Sequence, residues 1–397
     1  MGSEIKNATV KPPRSKTPRP SASRRRVNRS EELSGWLFCL PMILILGIFL
    51  FVPIVMALWV SVSDWAGRGT PFGGSVNFVG LKNYADVLVE PGLAQSDFGT
   101  AIRNNAWYTL LVIPLQTLLS LLLAVLLNRR ILKARGFFRT AFYFPSVTSS
   151  VAITVLWLFL FNSSGTINAV LGWFGINGPN WFNDPRGIVH LLLASFGVTE
   201  GPAALAGNGF LGISWWDWLS GPSVAMFAII LMVVFTTSGT YMLMFIAALQ
   251  TIGEATEEAA IMDGANSWQR LWKVTVPQLK PTIFTVITLG IIGTWQVFDQ
   301  IYTGTQGAPS KTTLTPAYLS YSAAFSSQEW GRGAAISFVL FFIIIAMTWA
   351  QRQIMKDRKL SRRRRADYDA MKAEARAMSR AEVMSLGART TTAGKES

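Results

Sequence analysis

The sequence predicts an all-α, polytopic membrane protein with six transmembrane helices, because its apolar residues are both abundant and segmented. Apolar residues make up 50% of the 397 residues and the mean hydropathy is +0.34, although the net charge is +14. A soluble protein of this charge is usually polar, so the apolar residues must be concentrated in segments. Six segments approach or exceed the roughly 20 residues that a helix needs to cross a bilayer: Trp36–Ser63, Asn105–Leu127, Thr140–Phe161, Ser223–Leu249, Thr282–Tyr302 and Ala334–Ala350.

The distribution of Lys and Arg predicts the orientation of these segments. The short loop between the second and third segments is basic and contains no acidic residue, whereas the much longer loops on the opposite side carry few basic residues. The positive-inside rule therefore predicts that both termini are cytoplasmic. The short loop contributes Arg129, Arg130, Lys133, Arg135 and Arg139, and the opposite side has Arg68, Lys82, Arg103, Arg186 and Lys311.

Two basic tails flank the predicted six-span domain, residues 35–355. Residues 1–34 are rich in Pro, Ser and Arg and cannot bury a core, which predicts disorder. Residues 356–397 follow the last span and include the basic run Arg362–Arg365. We interpret both tails as cytoplasmic segments that bind anionic lipid and not nucleic acid, because they adjoin membrane spans and the first tail lacks interleaved aromatic residues.

Several kinds of chemistry are absent from the sequence. The single cysteine, Cys39, and the single histidine, His190, exclude an internal disulfide and a histidine or cysteine metal cluster. The fragment that comes nearest to a phosphate-binding loop, 307–312, lacks the glycine before Lys311. No catalytic Ser-His-Asp set is visible either, so we expect a non-enzyme that carries no cofactor of its own.

The loop between the fourth and fifth segments, residues 250–280, is polar and structured. Thr251 and Glu254 have the spacing of a capping box, and good helix formers follow. Gly264 then lies where a helix would end in a left-handed residue. We expect Ser267 to cap a second helix, Trp268–Thr275, which Pro277 would stop.

This helix–glycine–helix elbow is acidic at its start and carries small residues, Ala255, Ala259 and Ala260. Anionic lipid headgroups would repel the acidic cluster, which favours docking to a protein partner over a hairpin that lies on the membrane. The acidic residues are Glu254, Glu257, Glu258 and Asp263.

The spacing within the elbow resembles a known family signature. Glu258-Ala259-Ala260, Gly264 and Pro277, with Val274 and Val276 where Ile and Leu are usual, resemble the cytoplasmic motif of ATP-binding-cassette importer permeases. The resemblance is strongest to maltose-type carbohydrate permeases and runs from about Trp36 to Gln353. Further matching phrases are Leu126–Arg129, Gly136–Arg139, Phe144-Pro145 and Gln296–Tyr302.

The resemblance implies a type I importer permease fold in a bacterial cytoplasmic (inner) membrane. It implies one subunit of a heterodimeric permease, served by two ATPase subunits that bind the ATP and Mg, and by an extracytoplasmic solute-binding protein. The solute would be a sugar, either a mono- or an oligosaccharide, or a related polyol. By position, the residues that couple this chain to the ATPase would be Glu254, Glu258, Ala259, Ala260, Asp263, Gly264 and Pro277.

Polar residues within the spans suggest a substrate pathway, since such residues are costly in lipid and tend to face a cavity. Trp295 with Gln296 would offer a sugar an aromatic face and an amide, and Asp299 and Tyr302 could extend this pair. Helix packing is the favoured interpretation of the Ser and Thr patches and an equal alternative for Trp295, Gln296 and Asp299. The remaining polar candidates are Thr236, Thr237, Ser238, Thr240 and Tyr241 of the fourth span and Ser146, Thr148, Ser149 and Ser150 of the third.

Two other classes of protein remain as alternatives. A secondary transporter or channel that works alone usually needs several intramembrane ionisable residues, and only Asp299 qualifies. A membrane-embedded enzyme is weaker still, for want of acid–base pairs. The long loop 162–222 departs from the family pattern, because two similar phrases, 180–185 and 217–222, flank about 30 residues; the sequence shows no convincing internal repeat.

Overall fold

The computed structural model describes residues 29–355, except 75, 129–133, 208 and 253, together with residue 370. It divides the chain into two compact units, residues 1–56 and 57–397. The first unit contains α1 (Arg29–Leu46), a π-helical turn, Gly47–Phe51, and the start of α2 (Val52–Ser61), which continues into the second unit. The stretch Leu33–Ser61 is long and apolar enough to cross a membrane. Most of the two predicted tails lies outside the described residues.

The second unit contains the other described elements. Its short irregular helices are a 3-10 turn, Trp181–Asn183, and two π-helical turns, Arg270–Thr275 and Ser322–Ser326. In chain order the elements are α3 (Lys82–Leu88), α4 (Leu93–Asn128), α5 (Arg135–Val147), α6 (Ser150–Leu160), α7 (Thr166–Trp173), α8 (Ile188–Ser195), α9 (Ala203–Ala206), β1 (Gly209–Phe210), β2 (Ile213–Ser214), α10 (Trp215–Trp218), α11 (Val224–Gln250), α12 (Glu254–Met262), α13 (Ser267–Gln269), α14 (Val276–Gln278), α15 (Lys280–Trp295), α16 (Asp299–Gly304), α17 (Pro316–Tyr321) and α18 (Trp330–Ile354).

Four single helices and two bent helix pairs have the length and composition of membrane spans in the described part of the chain. The single helices are Leu33–Ser61, α4, α11 and α18. The bent pairs are α5 with α6, at 99°, and Ser267–Gln278 with α15, at 71°. The predicted number of six spans is reached when each bent pair counts as one.

The third and fifth predicted segments are not continuous helices, which corrects the sequence-based expectation. The third breaks at Thr148, whose backbone is extended. The hydroxyls of Ser146 and Thr148 donate to the carbonyls of Tyr143 and Phe144, at 2.7 and 3.0 Å, and so satisfy acceptors that a helix end leaves free. The fifth segment ends as a helix at Trp295 and restarts at Asp299, which begins α16.

The core of the second unit forms where α4 packs along α11. One buried cluster joins Tyr108 of α4, Ile230 of α11 and Ile301 of α16, and a second joins Leu121 and Phe245. These side chains fill the space between the helices as any well-packed interior does.

Buried polar contacts tie α4 to both neighbouring helices. Thr237 Oγ1 of α11 donates to Gln116 Oε1 at 2.8 Å, and Ser120 Oγ donates to the carbonyl of Ser238 at 3.1 Å. On the other side, Thr109 Oγ1 lies 3.2 Å from Thr294 Oγ1 of α15. Such interhelical hydrogen bonds contribute about 0.6 kcal/mol each in a membrane, so they orient helices more than they hold them together.

A glycine sets the distance between α5 and α11. A Cβ at Gly239 would overlap the carbonyl oxygen of Phe142 and approach the Cα of Tyr143 to 2.9 Å. Because glycine lacks that atom, the backbone of α5 lies directly on α11. This contact holds the bend between α5 and α6 beside the middle of α11.

Candidate functional site

The predicted left-handed glycine is confirmed at the end of α12. Gly264 has φ +76°. Its N–H donates to the carbonyl of Ile261 at 2.9 Å, and the N–H of Ala265 donates to the carbonyl of Ala260 at 3.0 Å. These two bonds form a Schellman motif, which pairs the last carbonyls of the helix and fixes the direction of the chain that leaves it.

The second helix of the elbow begins one residue earlier than predicted, and its cap is Asn266 instead of Ser267. Asn266 Oδ1 accepts from the backbone N–H of Gln269 at 2.8 Å, and Gln269 Oε1 accepts from the N–H of Asn266 at 3.0 Å. This reciprocal capping box satisfies two amide hydrogens at the helix start. Ser267 is instead the first helical residue.

The expected capping box at Thr251 is also wrong, because α12 begins only at Glu254. Thr251 caps the C-terminus of α11, where its hydroxyl donates to the carbonyl of Ala248 at 2.7 Å. Thr251 therefore ends α11 and does not start α12.

Pro277 does not stop the elbow's second helix, which corrects the third local expectation. The π-helical turn Arg270–Thr275 continues into α14, where Pro277 occupies the first turn. The N–H of Val276 still donates to the carbonyl of Leu271, so the helical run is unbroken up to Pro277, whose ring nitrogen has no hydrogen to donate. The chain bends only after α14, by 71°, and enters α15.

The elbow presents acidic and apolar side chains to solvent. Glu258, Ala259 and Asp263 are exposed, whereas Ala260 is buried. Met262 is 86% exposed and Trp268 is 67% exposed. Large apolar side chains so open on a polar loop indicate a surface that another molecule covers.

A second site lies at the bend between α5 and α6, where a cavity of about 480 Å³ opens. Its walls come from this bend, from α11, from α15 and from the start of α16. They carry eight hydroxyl groups and one carboxamide, and no charged side chain lines the cavity among the described residues. The polar lining residues are Ser146, Thr148, Ser150, Thr154, Thr236, Thr237, Thr240, Tyr241 and Gln300.

Seven of the polar candidates for the substrate pathway line the cavity: Ser146, Thr148, Ser150, Thr236, Thr237, Thr240 and Tyr241. Ser238 is buried and does not line the cavity; its hydroxyl donates to the carbonyl of Val234. The Ser and Thr patches for which packing was the favoured interpretation thus form much of the cavity wall. Some hydroxyls also bond within their own helix, as Thr236 Oγ1 does to the carbonyl of Met232 at 3.1 Å.

The remaining predicted residues lie elsewhere. Trp295 is 4% exposed and packs with Ile291 and Leu340, so it does not present its ring beside Gln296, which is exposed. Asp299 is exposed at the start of α16.

Tyr302 belongs to an aromatic cluster, and its ring centroid lies 5.4 Å from that of Phe298.

Sequence reasoning missed two residues of this region. Gln300 lines the cavity, and Gln116 is the buried partner of Thr237. The sequence signal that could have identified them is a polar residue within an otherwise apolar segment.

Comparison with known proteins places this chain in a family. A family model described as the binding-protein-dependent transport system inner membrane component matches residues 116–359. The lactose transport system permease protein LacF of Rhizobium radiobacter is 30% identical over 343 residues, which cover 85% of this chain and 99% of LacF. The trehalose/maltose transport system permease protein MalF of Thermococcus litoralis is 28% identical over 319 residues, covering 80% of this chain and 92% of MalF.

The fold has a counterpart among solved structures. A crystal structure of a bacterial ABC transporter involved in the import of the acidic polysaccharide alginate superposes with a TM-score of 0.60 and 20% identity, covering 83% of this chain and 98% of that chain. The similarity confirms the all-α permease fold. Because the family model spans more than half of the sequence and LacF aligns over nearly its whole length, this multi-pass membrane protein, a transport component and not an enzyme, belongs to the family of binding-protein-dependent transport system inner membrane components.

Proposed function

We propose that this chain is one of two permease subunits of an ATP-driven importer for a sugar or a related polyol. The named relatives support the solute class, since LacF is a lactose permease and MalF a trehalose/maltose permease. The cavity supports it independently. Its hydroxyl and carboxamide groups can exchange hydrogen bonds with sugar hydroxyls, and its apolar residues can cover the C–H faces.

The observation that carries the coupling proposal is the exposed elbow from α12 to α14. Its two helices are fixed by a Schellman motif and a capping box, so it can transmit a push without bending at Gly264. Its exposed Met262 and Trp268 fit an apolar cleft on a partner, and Glu258 and Asp263 fit basic groups around that cleft. The partner would be an ATPase subunit, and the ATP and Mg would be bound by two such subunits.

The elbow is joined at both ends to walls of the cavity. α11, which provides Thr237, Thr240 and Tyr241, ends at Gln250, just before α12. α15, which provides Leu289, Ile292 and Gly293, begins at Lys280, just after α14. A movement of the elbow driven by the ATPase would therefore change the position of α11 relative to α15, and with it the shape of the cavity. This is the rigid-body switching that alternating access requires.

The orientation belongs to the same proposal. The basic loop at Arg135 and Arg139, by the positive-inside rule, supports a cytoplasmic location for the elbow and for both termini. The long loop 162–222 then faces outward, toward an extracytoplasmic solute-binding protein. A second, distinct permease subunit would complete the pathway.

The experiment is a pull-down of the chain from its native membrane, combined with ATP-dependent solute uptake in proteoliposomes. We expect an ATPase to copurify, and Glu258→Lys to release it while the chain stays in the membrane. Glu90→Lys, the same charge reversal at an exposed position after α3 and outside the elbow, serves as the matched control. A chain that purifies alone and still transports would overturn the proposal.

The alternative, a stand-alone secondary transporter, makes the opposite prediction for Asp299. In such a carrier Asp299→Asn would abolish uptake, because the predicted spans contain no other Asp, Glu, Lys, Arg or His. In an ATP-driven importer the same variant keeps its uptake and its dependence on ATP.

A further inference from the structure

The loop between α6 and α11 contains two segments of the same construction. The C-cap residue of both α7 and α8 is a phenylalanine, and the backbone angles of Phe174 (φ −93°, ψ 8°) and Phe196 (φ −95°, ψ 8°) nearly coincide. Each is followed by a left-handed glycine, Gly175 with φ +73° and Gly197 with φ +87°. The two helices therefore end in the same way.

The hydrogen bonds that close these helices also correspond. The N–H of Ile176 donates to the carbonyl of Leu171, and the N–H of Val198 donates to the carbonyl of Leu193, each at 3.0 Å. Both bonds link residues five positions apart, as in a Schellman motif. An aliphatic residue occupies all four positions, which adds the apolar contact that usually accompanies this motif.

In each segment the third residue of the helix contacts a tryptophan that follows later in the same segment. In the first segment Trp181 Nε1 donates to Asn168 Oδ1 at 2.8 Å. In the second segment His190 stacks on Trp216 with ring centroids 4.4 Å apart, and its Nε2 lies 3.1 Å from the Trp216 carbonyl oxygen. The only histidine of the chain therefore occupies the place of Asn168.

A Gly-Pro pair precedes this contact in each segment, and both glycines are required for the same reason. A Cβ at Gly178 would overlap the side chain of Asn168. A Cβ at Gly201 would lie 2.5–2.8 Å from ring atoms of Trp216. In both segments the backbone therefore passes directly against the helix-to-tryptophan contact.

We infer that residues 187–222 are a structural duplicate of residues 165–185, enlarged by the insertion 203–214, and that α7 and α8 form a paired anchor in the lipid interface. The antiparallel bridge between Gly187 and Ser223 closes the second copy at its base. The insertion contains α9 and the β1–β2 hairpin, and it separates Pro202 from Trp216. The contacts pair Trp181 with Trp216, whereas the similar phrases 180–185 and 217–222 pair it with Trp218, because the second copy has two more residues after this tryptophan. With the insertion, this makes the two copies hard to align as sequences.

Lipid is the occupant because the two helices are apolar and uncharged. Residues 161–183 and 187–199 contain no Asp, Glu, Lys or Arg. Phe174 and Phe196 are 75% and 84% exposed, and Trp173 and Leu192 are also exposed. A soluble partner would leave these side chains in water whenever it dissociated, whereas the membrane interface favours such residues at all times.

The position of α7 supports the same occupant. Gly165, which precedes α7, lies so close to the end of α6 that a Cβ there would overlap the Leu160 carbonyl oxygen. The exposed apolar surface of α6, which includes Phe159, therefore leads into that of α7 without an intervening charged residue. The anchor lies at the end of the spans that the proposed orientation makes the outer one.

Spin labels on single cysteines test the anchor in the full chain in lipid nanodiscs. With Cys39→Ser as background, Phe174→Cys and Phe196→Cys are compared with Phe159→Cys on α6 and Glu200→Cys on an exposed charged position. We expect labels at 174 and 196 to collide with oxygen more than with a water-soluble nickel chelate, as the label at 159 does. Labels that behave like the one at 200, or that neither reagent reaches, would overturn the lipid anchor.

The duplication is tested separately by exchanging the equivalent residues. His190→Asn should keep the melting temperature of the parent in detergent, because asparagine serves at this place in the first copy, and His190→Leu should lower it. Equal losses in the two variants would refute the equivalence of Asn168 and His190.

Discussion

Replacing Gly264 separates the backbone requirement of the elbow from the presence of a partner. The residue has φ +76°, and a Cβ built on it meets no atom within 4 Å. A Cβ therefore meets no clash within this chain, and an ordinary L-residue such as Ala or Arg suffers the left-handed backbone cost of about 1–2 kcal/mol. That cost lowers the equilibrium constant between the intact and the opened elbow about 5- to 30-fold, and it is the same for Gly264→Ala and Gly264→Arg.

We expect the two variants to differ in function although their backbone costs agree. Gly264→Asn should retain most uptake, because asparagine tolerates this conformation, and Gly264→Ala should lower it several-fold. Gly264→Arg should abolish ATPase binding and uptake, because its side chain occupies the open space in which we propose that the ATPase lies. ATPase copurification and ATP-driven uptake in proteoliposomes measure the two effects.

Gly69 provides the matched control, since it has φ +68° and a Cβ there also meets nothing within 4 Å. Gly69→Arg should leave ATPase binding unchanged, because this glycine lies in the loop after α2 and not in the elbow. If Gly264→Arg bound and transported as well as Gly264→Ala, the reasoning would be refuted: no partner would occupy this face.

Three further predictions follow from local contacts. Asn266→Ala removes the capping box, which costs about 1 kcal/mol, and should speed amide exchange at the start of α13, whereas Ser267→Ala should not; equal effects would return the cap to Ser267. Gly239→Ala should lower the melting temperature in detergent, because its Cβ would meet the Phe142 carbonyl, while Gly293→Ala, in open space, should not. Hydrogen bonds from Arg186 hold the pKa of Asp184 below its ordinary value; its stabilisation is therefore present above the unfolded pKa of about 3.9 and is lost as pH falls through the lower folded value. Asp184→Asn should remove this acid-side loss in a pH series of melting temperatures, and an unchanged series would contradict the pair's contribution.

Hydropathy and local helix signals correctly predicted the features that depend only on residues close in sequence. Gly264 follows a run of good helix formers, so its left-handed conformation could be predicted without any tertiary contact. The competition between Asn266 and Ser267 could not, because either side chain can cap a helix and the choice depends on Gln269 bonding back.

The cavity could not be predicted, because hydropathy records composition and not the direction of a helix. The 99° bend at Thr148 turns the hydroxyls of α5 and α6 toward those of α11, and nothing in either segment alone announces that meeting. Trp295 failed as a sugar platform for a related reason: α15 rotates its ring toward Leu340, and the face of a residue at a helix end depends on where the helix stops.

The weak ties between the core helices are what would let the elbow act on the cavity. α11 and α15 both adjoin the elbow, and both are bonded to α4, through Thr237 with Gln116 and through Thr294 with Thr109. At about 0.6 kcal/mol each, these bonds can exchange partners at a cost well below the energy available from ATP-driven closure of a partner. Gln116 Nε2 is buried without a hydrogen-bond partner among the described residues. This N–H group could donate a hydrogen bond in a second arrangement of these helices. Two such arrangements would convert a small displacement of the elbow into a discrete change of the cavity wall, because packed helices move between alternatives and do not deform continuously.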